Sequence, residues 1–251
     1  MTLFDLAGRT AIVTGANTGI GRAIAVGLAE AGADIVAVGR SAMTETEADV
    51  RAAGRGFLAL TADLSERGAA ADVVARALEA GASPDILVNN AGIIRRADAL
   101  DFTEEDWDAV LDTNLKSVFF LCQAFARAAI AAGQRAKIVN IASLLSFQGG
   151  IRVPSYTAAK SGLAGLTKLL ANEWAARGIN VNAIAPGYVE TNNTAALRAD
   201  PDRNADILKR IPAGRWARPD DMVGAAVFLS APASDYVHGT ILPVDGGWLA
   251  R

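Results

Sequence analysis

The chain has 251 residues, 51% hydrophobic and 20% charged, a balance that supports a buried core and excludes a disordered or fibrous chain. Its 27 acidic and 24 basic side chains leave a net charge of −3 with no basic run, so nothing favours nucleic acid as a partner. The single cysteine, Cys122, excludes an intrachain disulfide or a cysteine metal cluster; with His238 as sole histidine, no metal is expected and a Ser-His-Asp hydrolase would depend on that one residue.

The opening "MTLFDLAGRTAIVTG" lacks the basic region, apolar core and cleavage site of a signal peptide. No uninterrupted apolar run is long enough to span a bilayer, so a reducing compartment, the cytoplasm, is the expected location. The first strand, "TAIVTG", runs directly into "TGANTGIG", Thr14 to Gly21, which opens a helix predicted over 19–31. Gly15 permits a tight turn, Gly19 lets a pyrophosphate approach, and Gly21 lets helix and strand pack closely. The helix-terminal N–H groups and dipole around Asn17, Thr18, Gly19 and Ile20 then face an anion, which makes the turn a dinucleotide cradle.

The second strand, "DIVAVG", ends in Gly39-Arg40-Ser41, with no carboxylate at its tip. An acidic residue there favours NAD, whereas Arg40 pairs with the dianionic phosphate of NADP and Ser41 adds a hydrogen bond. NADP is therefore favoured, with NAD the alternative should Arg40 stack on adenine instead. "GFLALTAD" is the third strand; Asp63, followed by Leu64, is placed to accept from the adenine amino group or to cap the helix predicted over 65–80.

The fourth strand, "DILVNNAG", brings Asn90, Ala91 and Gly92 and then the paired Arg95 and Arg96. A helix predicted over 104–132 carries the polar Asn114 in an otherwise apolar run, and Cys122 in "VFFLCQAF" reads as a buried, inert thiol. Strand five, "KIVNIAS", ends on Ser143, placed to hydrogen-bond a substrate carbonyl, and the polar loop after it holds Gln148 and Arg152. The next helix, predicted over 155–177, starts with Tyr156 and Lys160, four apart and so on one face. An ammonium beside a phenol lowers the phenol's pKa toward working pH, giving a group that can donate a proton to an alkoxide or remove one from an alcohol. Asn114 is placed to hold a water that links this lysine to solvent.

Strand six, "INVNAIAPG", is followed by a connection of more than thirty residues before a helix predicted over 220–230 and a last strand, "TILPVDGG". A connection that long in a compact domain usually has a task, so 187–217 is expected to be a substrate lid, with Trp216 closing over the site. Seven continuous apolar strands alternating with helices define one α/β domain over 1–251: a Rossmann-type, doubly wound parallel sheet with helices on both faces.

Thr14–Gly21, Asn89–Gly92, Asn114, Ser143, Tyr156, Lys160 and Pro186–Gly187, in that order and spacing over essentially the whole chain, resemble the short-chain dehydrogenase/reductase family. The resemblance implies an Asn114-Ser143-Tyr156-Lys160 tetrad and hydride transfer between a nicotinamide and a carbonyl or secondary alcohol. It implies that Lys160 also bonds the nicotinamide ribose, that Thr191 contacts the carboxamide alongside Pro186, Gly187 and Val189, and that Asn89–Gly92 packs beneath the cofactor. A homotetramer is implied too, with the last helix and strand at one interface. Within the family, "NNAGIIRRADAL", "NIASLLSFQGGIRVPSYTAAK", "IPAGRW" and "VDGGWLAR" resemble the branch that acts on keto and hydroxy sugar acids of uronate catabolism, an activity usually assigned to NAD.

A sugar acid needs a cation for its carboxylate and neutral groups for its hydroxyls. Arg95, Arg96 and Arg152 are the candidate clamp; Gln148, Tyr188, Asn192 and Asn193 are the candidate hydrogen-bonding groups. Trp248 and Arg251 are candidates to reach a neighbouring subunit's site. Two other readings stand beside it: a 3-oxoacyl-carrier-protein reductase, which shares the tetrad but needs a basic patch and an apolar slot rather than the polar "SFQGGIR" loop, and a sugar-nucleotide epimerase, which also uses Tyr and Lys but usually needs a longer chain. A dinucleotide-sensing regulator with lost chemistry would have shed Ser143, Tyr156 or Lys160, and all three are present.

Overall fold

In a computed structural model, which describes residues 3–250, the seven apolar runs become seven strands: β1 (Thr10–Thr14), β2 (Asp34–Gly39), β3 (Phe57–Thr61), β4 (Ile86–Asn89), β5 (Ala136–Ile141), β6 (Ile179–Pro186) and β7 (Ile241–Val244). They form one sheet in the order β3-β2-β1-β4-β5-β6-β7, and every neighbouring pair is parallel. Successive side chains of a strand point to opposite faces. Ile12, Val36, Leu87 and Ile138 enter one apolar layer, while Val13, Ile35, Val88 and Val139 enter the other. Both faces being covered, all residues of β4, β5 and β6 are buried, which is why these strands read as unbroken apolar runs rather than alternating ones.

Helix α1 (Gly19–Glu30) and helix α9 (Val223–Ser230) cover the Val13 face; α3 (Ala69–Glu79), α5 (Ser117–Ala131) and α6 (Pro154–Trp174) cover the Ile12 face. A short α2 (Thr44–Ala52), with Glu45, Glu47, Asp49 and Arg51 along it, links β2 to β3. Its mostly polar sequence carries too little apolar periodicity to stand out beforehand. The helix expected over 104–132 is α4 (Glu104–Leu111) and α5 joined by a π-turn at Asp112–Lys116. Thr103 caps α4 by accepting from Asp106 N at 3.2 Å, ahead of three acidic residues that suit the helix dipole.

The 187–217 segment is largely helical, with α7 (Ala195–Ala199) and α8 (Pro201–Arg210). It has an apolar cluster of its own: Leu144, Ile207, Ile211, Trp216 and Trp248 are buried together beneath it. At the opposite, amino end of the sheet, Arg9 pairs with Asp85 and Lys137 Nζ lies 2.7 Å from Asp235 Oδ1. The strand order reverses between β1 and β4, and this switch point opens a crevice at the carboxyl ends of the strands.

Candidate active site

The crevice is a cleft of about 1300 Å³, more than a small molecule alone requires. One wall is the β1–α1 turn. Gly15 and Gly19 both have positive φ, at +64° and +54°, and a side chain on Gly19 would meet only the Thr191 methyl, at 3.5 Å. The turn is thus open where an anion would lie over the N-terminus of α1. Gly21 does not line the cleft; a Cβ there would lie 2.2 Å from Gly15 O and 2.3 Å from Asn90 Nδ2, so its smallness lets the helix sit on the turn.

Beneath the turn lies the "NNAG" floor. Thr14 Oγ1 accepts from the backbone N–H of Asn90 and of Ala91, both at 3.0 Å, and Asn90 Nδ2 donates to Thr14 O at 3.0 Å. Deeper still, Asn89 Nδ2 donates to Asn140 Oδ1 at 2.8 Å, and Asn140 Nδ2 donates to Thr167 Oγ1 at 3.0 Å, tying β4 and β5 to α6. Cys122 accepts from Asn89 in this network, and burial pushes its thiol up to about 12, as an inert cysteine requires.

At the β2 tip, Asn17 Nδ2 donates to Ser41 Oγ at 2.8 Å, and Arg40 Nη1 stands 3.6 Å from Asp63 Oδ2 while two-thirds exposed. Asp63 does not cap the helix: α3 starts at Ala69 with Gly68 at its N-cap, and Asp63 closes a local turn with Ser65 instead. Ser65 N and Oγ both donate to its Oδ1, which with Arg40 keeps the carboxyl below its ordinary value, and it lines the cleft with Leu64. The remaining wall holds Asn17, Thr18, Ile20, Pro186, Gly187, Val189 and Thr191, so the predicted cofactor residues other than Gly21 share one continuous surface.

Ser143, Tyr156 and Lys160 meet where this surface ends. Ser146 Oγ donates to Lys160 O at 2.7 Å and Ser161 Oγ donates to Leu145 O at 3.0 Å, so the loop after β5 is stapled to the first turns of α6. Lys160 Nζ lies 5.5 Å from the centre of the Tyr156 ring and donates to Ile141 O at 2.6 Å. Burial lowers this lysine to about 8. The expected lowering of Tyr156 does not occur: burial raises the phenol, outweighing its hydrogen bond with Ser143 and the field of Arg96. Desolvation of the phenolate costs more than those two groups return.

Asn114 sits in the π-turn and is fully buried, outside the cleft. Its Oδ1 accepts from Ile93 N and its Nδ2 donates to Ile93 O, both at 2.8 Å. The expected water link is therefore replaced by a bracket on the backbone that follows the floor, and the π-turn aims the amide there. Thr113, beside it, reaches the cleft instead.

The three candidate arginines separate cleanly. Arg95 lies outside the cleft with Nε 3.0 Å from Asp106 Oδ1, which removes it from the substrate set. Arg152 lines the cleft at φ +62°, a left-handed conformation uncommon for a side-chain-bearing residue, with Nε 3.2 Å from Asp98. Arg96 lines the cleft, donates to Asn193 O at 2.8 Å, acts on Tyr156 through its charge and has no carboxylate partner among the described residues.

Gln148, Tyr188, Asn192 and Asn193 also line the cleft. Trp216 does not: it is buried, packs edge-on against Tyr188 at 5.4 Å and donates to Asn204 Oδ1 at 2.7 Å, anchoring the 187–217 segment rather than closing over a ligand. Trp248 is likewise buried in its own chain, which overturns its expected reach to a neighbour, and Arg251 lies outside the described residues. Arg203 of α8 and Asp200, which caps that helix, line the cleft without having been singled out. Their only sequence signal was membership of the long connection.

A Rossmann crevice with a glycine cradle at the switch point, closed by Ser143, Tyr156 and the buried Lys160, defines a nicotinamide-linked oxidoreductase acting on a hydroxyl or carbonyl carbon. Residues 15–249 match the family model described as enoyl-(acyl carrier protein) reductase, and the chain belongs to this short-chain dehydrogenase/reductase family. It is 59% identical over 251 residues to the 2-dehydro-3-deoxy-D-gluconate 5-dehydrogenase of Dickeya dadantii (strain 3937), covering 100% of this chain and 99% of that one. It is 57% identical over 249 residues to the enzyme of the same name from Bacillus subtilis (strain 168), covering 99% and 97%. Among solved structures it is similar to an Agrobacterium tumefaciens protein described as a 2-deoxy-D-gluconate 3-dehydrogenase with bound NADP: 64% identity, TM-score 0.95, 100% of each chain covered.

Proposed function

We propose that the protein interconverts a keto and a hydroxy sugar acid in uronate catabolism, with 2-dehydro-3-deoxy-D-gluconate (or 2-deoxy-D-gluconate) and its diketo partner as the substrate pair. The observation that carries this is Arg96: a cleft guanidinium with no carboxylate partner among the described residues, close enough to Tyr156 to act on its charge. A substrate carboxylate supplies the missing counter-charge and is held in orientation as well as place.

NADP is the favoured cofactor, because Arg40 is exposed at the β2 tip and its nearest anion is a 3.6 Å contact that Ser65 also engages. The relatives of known cofactor content fit this, since the Agrobacterium tumefaciens structure holds NADP. NAD remains the alternative. Gly15, Asn17, Thr18, Gly19 and Ile20 would hold the cofactor's phosphates, Arg40, Asp63 and Leu64 its adenosine end, and Asn90, Ala91, Gly92, Pro186, Gly187, Val189 and Thr191 its nicotinamide end. When bound, it supplies or takes up the hydride.

The chain's own residues handle the proton. Ser143 holds the reacting oxygen and Tyr156 donates to it during carbonyl reduction. A phenol raised by burial stays protonated at neutral pH, so it is set for that direction. Lys160 would hold the nicotinamide ribose, and Asn114 braces the floor through Ile93. Arg96, Arg152, Gln148, Tyr188 and Asn193 surround the sugar, and 187–217 acts as the lid.

Trp107, Phe120 and Leu169 leave apolar surface exposed on α4, α5 and α6, which supports assembly as a homotetramer. No helix among the described residues is long and apolar enough to cross a membrane, and a cytoplasmic location fits the buried, unpaired cysteine.

Steady-state rates of reduction of the diketo sugar acid with NADPH and NADH, and of oxidation of the monoketo acid with NADP+ and NAD+, test the reading. Turnover with a higher kcat/KM for NADPH supports it. Preferred turnover of a 3-oxoacyl thioester would establish the carrier-protein reductase instead.

A further inference from the structure

The carboxyl-terminal turn meets the substrate side of the cleft through one hydrogen bond. Trp248 Nε1 lies 3.3 Å from Gln148 Oε1. Gln148 is half-buried on the loop after β5 and lines the cleft, whereas Trp248 is 3% exposed and does not. An indole N–H donates and never accepts, so it can be satisfied only by the amide oxygen. That fixes which way round the Gln148 amide sits: its oxygen is engaged by the buried indole, and its NH2 is left free. Among the described residues Nε2 makes no hydrogen bond, so this donor is available to a ligand.

The tryptophan is itself immobilised. The Arg210 guanidinium of α8 lies over its ring at 4.0 Å, and the Tyr188 ring packs against it at 4.8 Å. Its backbone turn is set by Asp245, whose Oδ1 accepts from Gly247 N at 2.8 Å and whose Oδ2 accepts from Leu249 N at 2.9 Å. A Cβ on Gly247 would lie 3.0 Å from Pro212 at the end of the 187–217 segment, and φ there is +87°, so glycine lets the turn dock.

We propose that Trp248 is a positioning residue for substrate selection: it holds the Gln148 amide so that a donor, and not an acceptor, faces the sugar. This rests on the sugar-acid reading above. It adds that the cleft recognises an acceptor oxygen of the substrate, a hydroxyl or a carboxylate, at Gln148. The same tryptophan ties that contact to Tyr188 and to the lid helix.

Trp248→Phe keeps the aromatic packing and removes the N–H. Steady-state kinetics on the keto sugar acid should show KM raised about tenfold with kcat within a factor of two, an effect of the size of one lost polar contact. Binding of NADPH, measured by fluorescence titration, should be unchanged. Gln148→Ala should raise KM similarly, and adding Trp248→Phe to Gln148→Ala should raise it no further, because both changes remove one contact. An unchanged KM in either single variant, or multiplicative effects in the double variant, overturns the proposal. If the wild-type protein fails to turn over the sugar acid, the functional reading falls and this inference with it. Wild-type turnover with an unaffected Trp248→Phe sinks this inference alone.

Discussion

The two halves of the cleft are built by different means. The cofactor half is mostly main chain: strand ends, glycines at positive φ and helix N–H groups, fixed by the sheet and by close contacts such as Gly21 on Gly15. The substrate half is made of side chains on three loops that brace one another. Arg96 bonds the backbone of Asn193, Gln148 bonds Trp248, Arg152 pairs with Asp98, and Tyr188 packs between two tryptophans. A main-chain site recognises groups common to many ligands and tolerates little change. A side-chain site can be retuned one residue at a time, which is how one scaffold serves many substrates.

The junction between the halves is the place to break this division hardest. Tyr156→Phe removes the proposed proton donor, and kcat should fall by roughly 10³-fold while both KM values and NADPH binding hold, as read by steady-state kinetics and titration. Within the cofactor half, Gly21→Val forces a side chain into atoms already 2.2 Å from an ideal Cβ. NADPH affinity should drop by about 100-fold, with the melting temperature lowered as well, because overpacking is transmitted through the turn.

pH sharpens the comparison at the catalytic pair. Tyr156 is raised by burial, so alcohol oxidation, which needs the phenolate, should rise from neutral to alkaline pH while carbonyl reduction stays level near neutrality. Lys160 has its folded value lowered to about 8, below its unfolded value of 10.5. The unfolded chain therefore binds more protons between those values, and stability of the cofactor-free protein rises with pH there. Lys160→Met should be more stable than the wild type at pH 7, by on the order of 3 kcal/mol at most, with the gap closing as pH rises through that window. Denaturant melts at two pH values measure this. The smallest expected effect is beside the substrate half: Arg95→Ala should leave KM within twofold, since Arg95 pairs with Asp106 outside the cleft and such exposed pairs contribute little.

This difference in construction also governs what could be read in the sequence. The parallel sheet, its seven strands and the cradle were legible because buried parallel strands leave unbroken apolar runs, and the turn between β1 and α1 needs glycine at fixed spacing. Tyr156 and Lys160 were legible from their helical spacing taken together with Ser143, Asn114 and the order of motifs along the chain. The direction of the Tyr156 shift was not, because it depends on how much water the folded site excludes. Nor could the sequence separate Arg95 from Arg96, adjacent residues sent to opposite sides by a loop, with Asp106 in reach of only one. Trp216 and Trp248 announced themselves as large aromatics, yet both serve the packing beneath 187–217, a role set by the contacts of Ile207 and Ile211. Asn114 was visible as a misplaced amide, but the π-turn that aims it at Ile93 leaves no periodic signal.

The central claim is that Arg96 selects a carboxylate. Its most direct test is the ratio of kcat/KM for the keto sugar acid to that for its uncharged carboxamide, in the wild type and in Arg96→Ala. A ratio of about 100 in the wild type that collapses toward unity in the variant, from the loss of one charge-assisted pair, is the predicted result. A ratio that survives the substitution would contradict the assignment of Arg96.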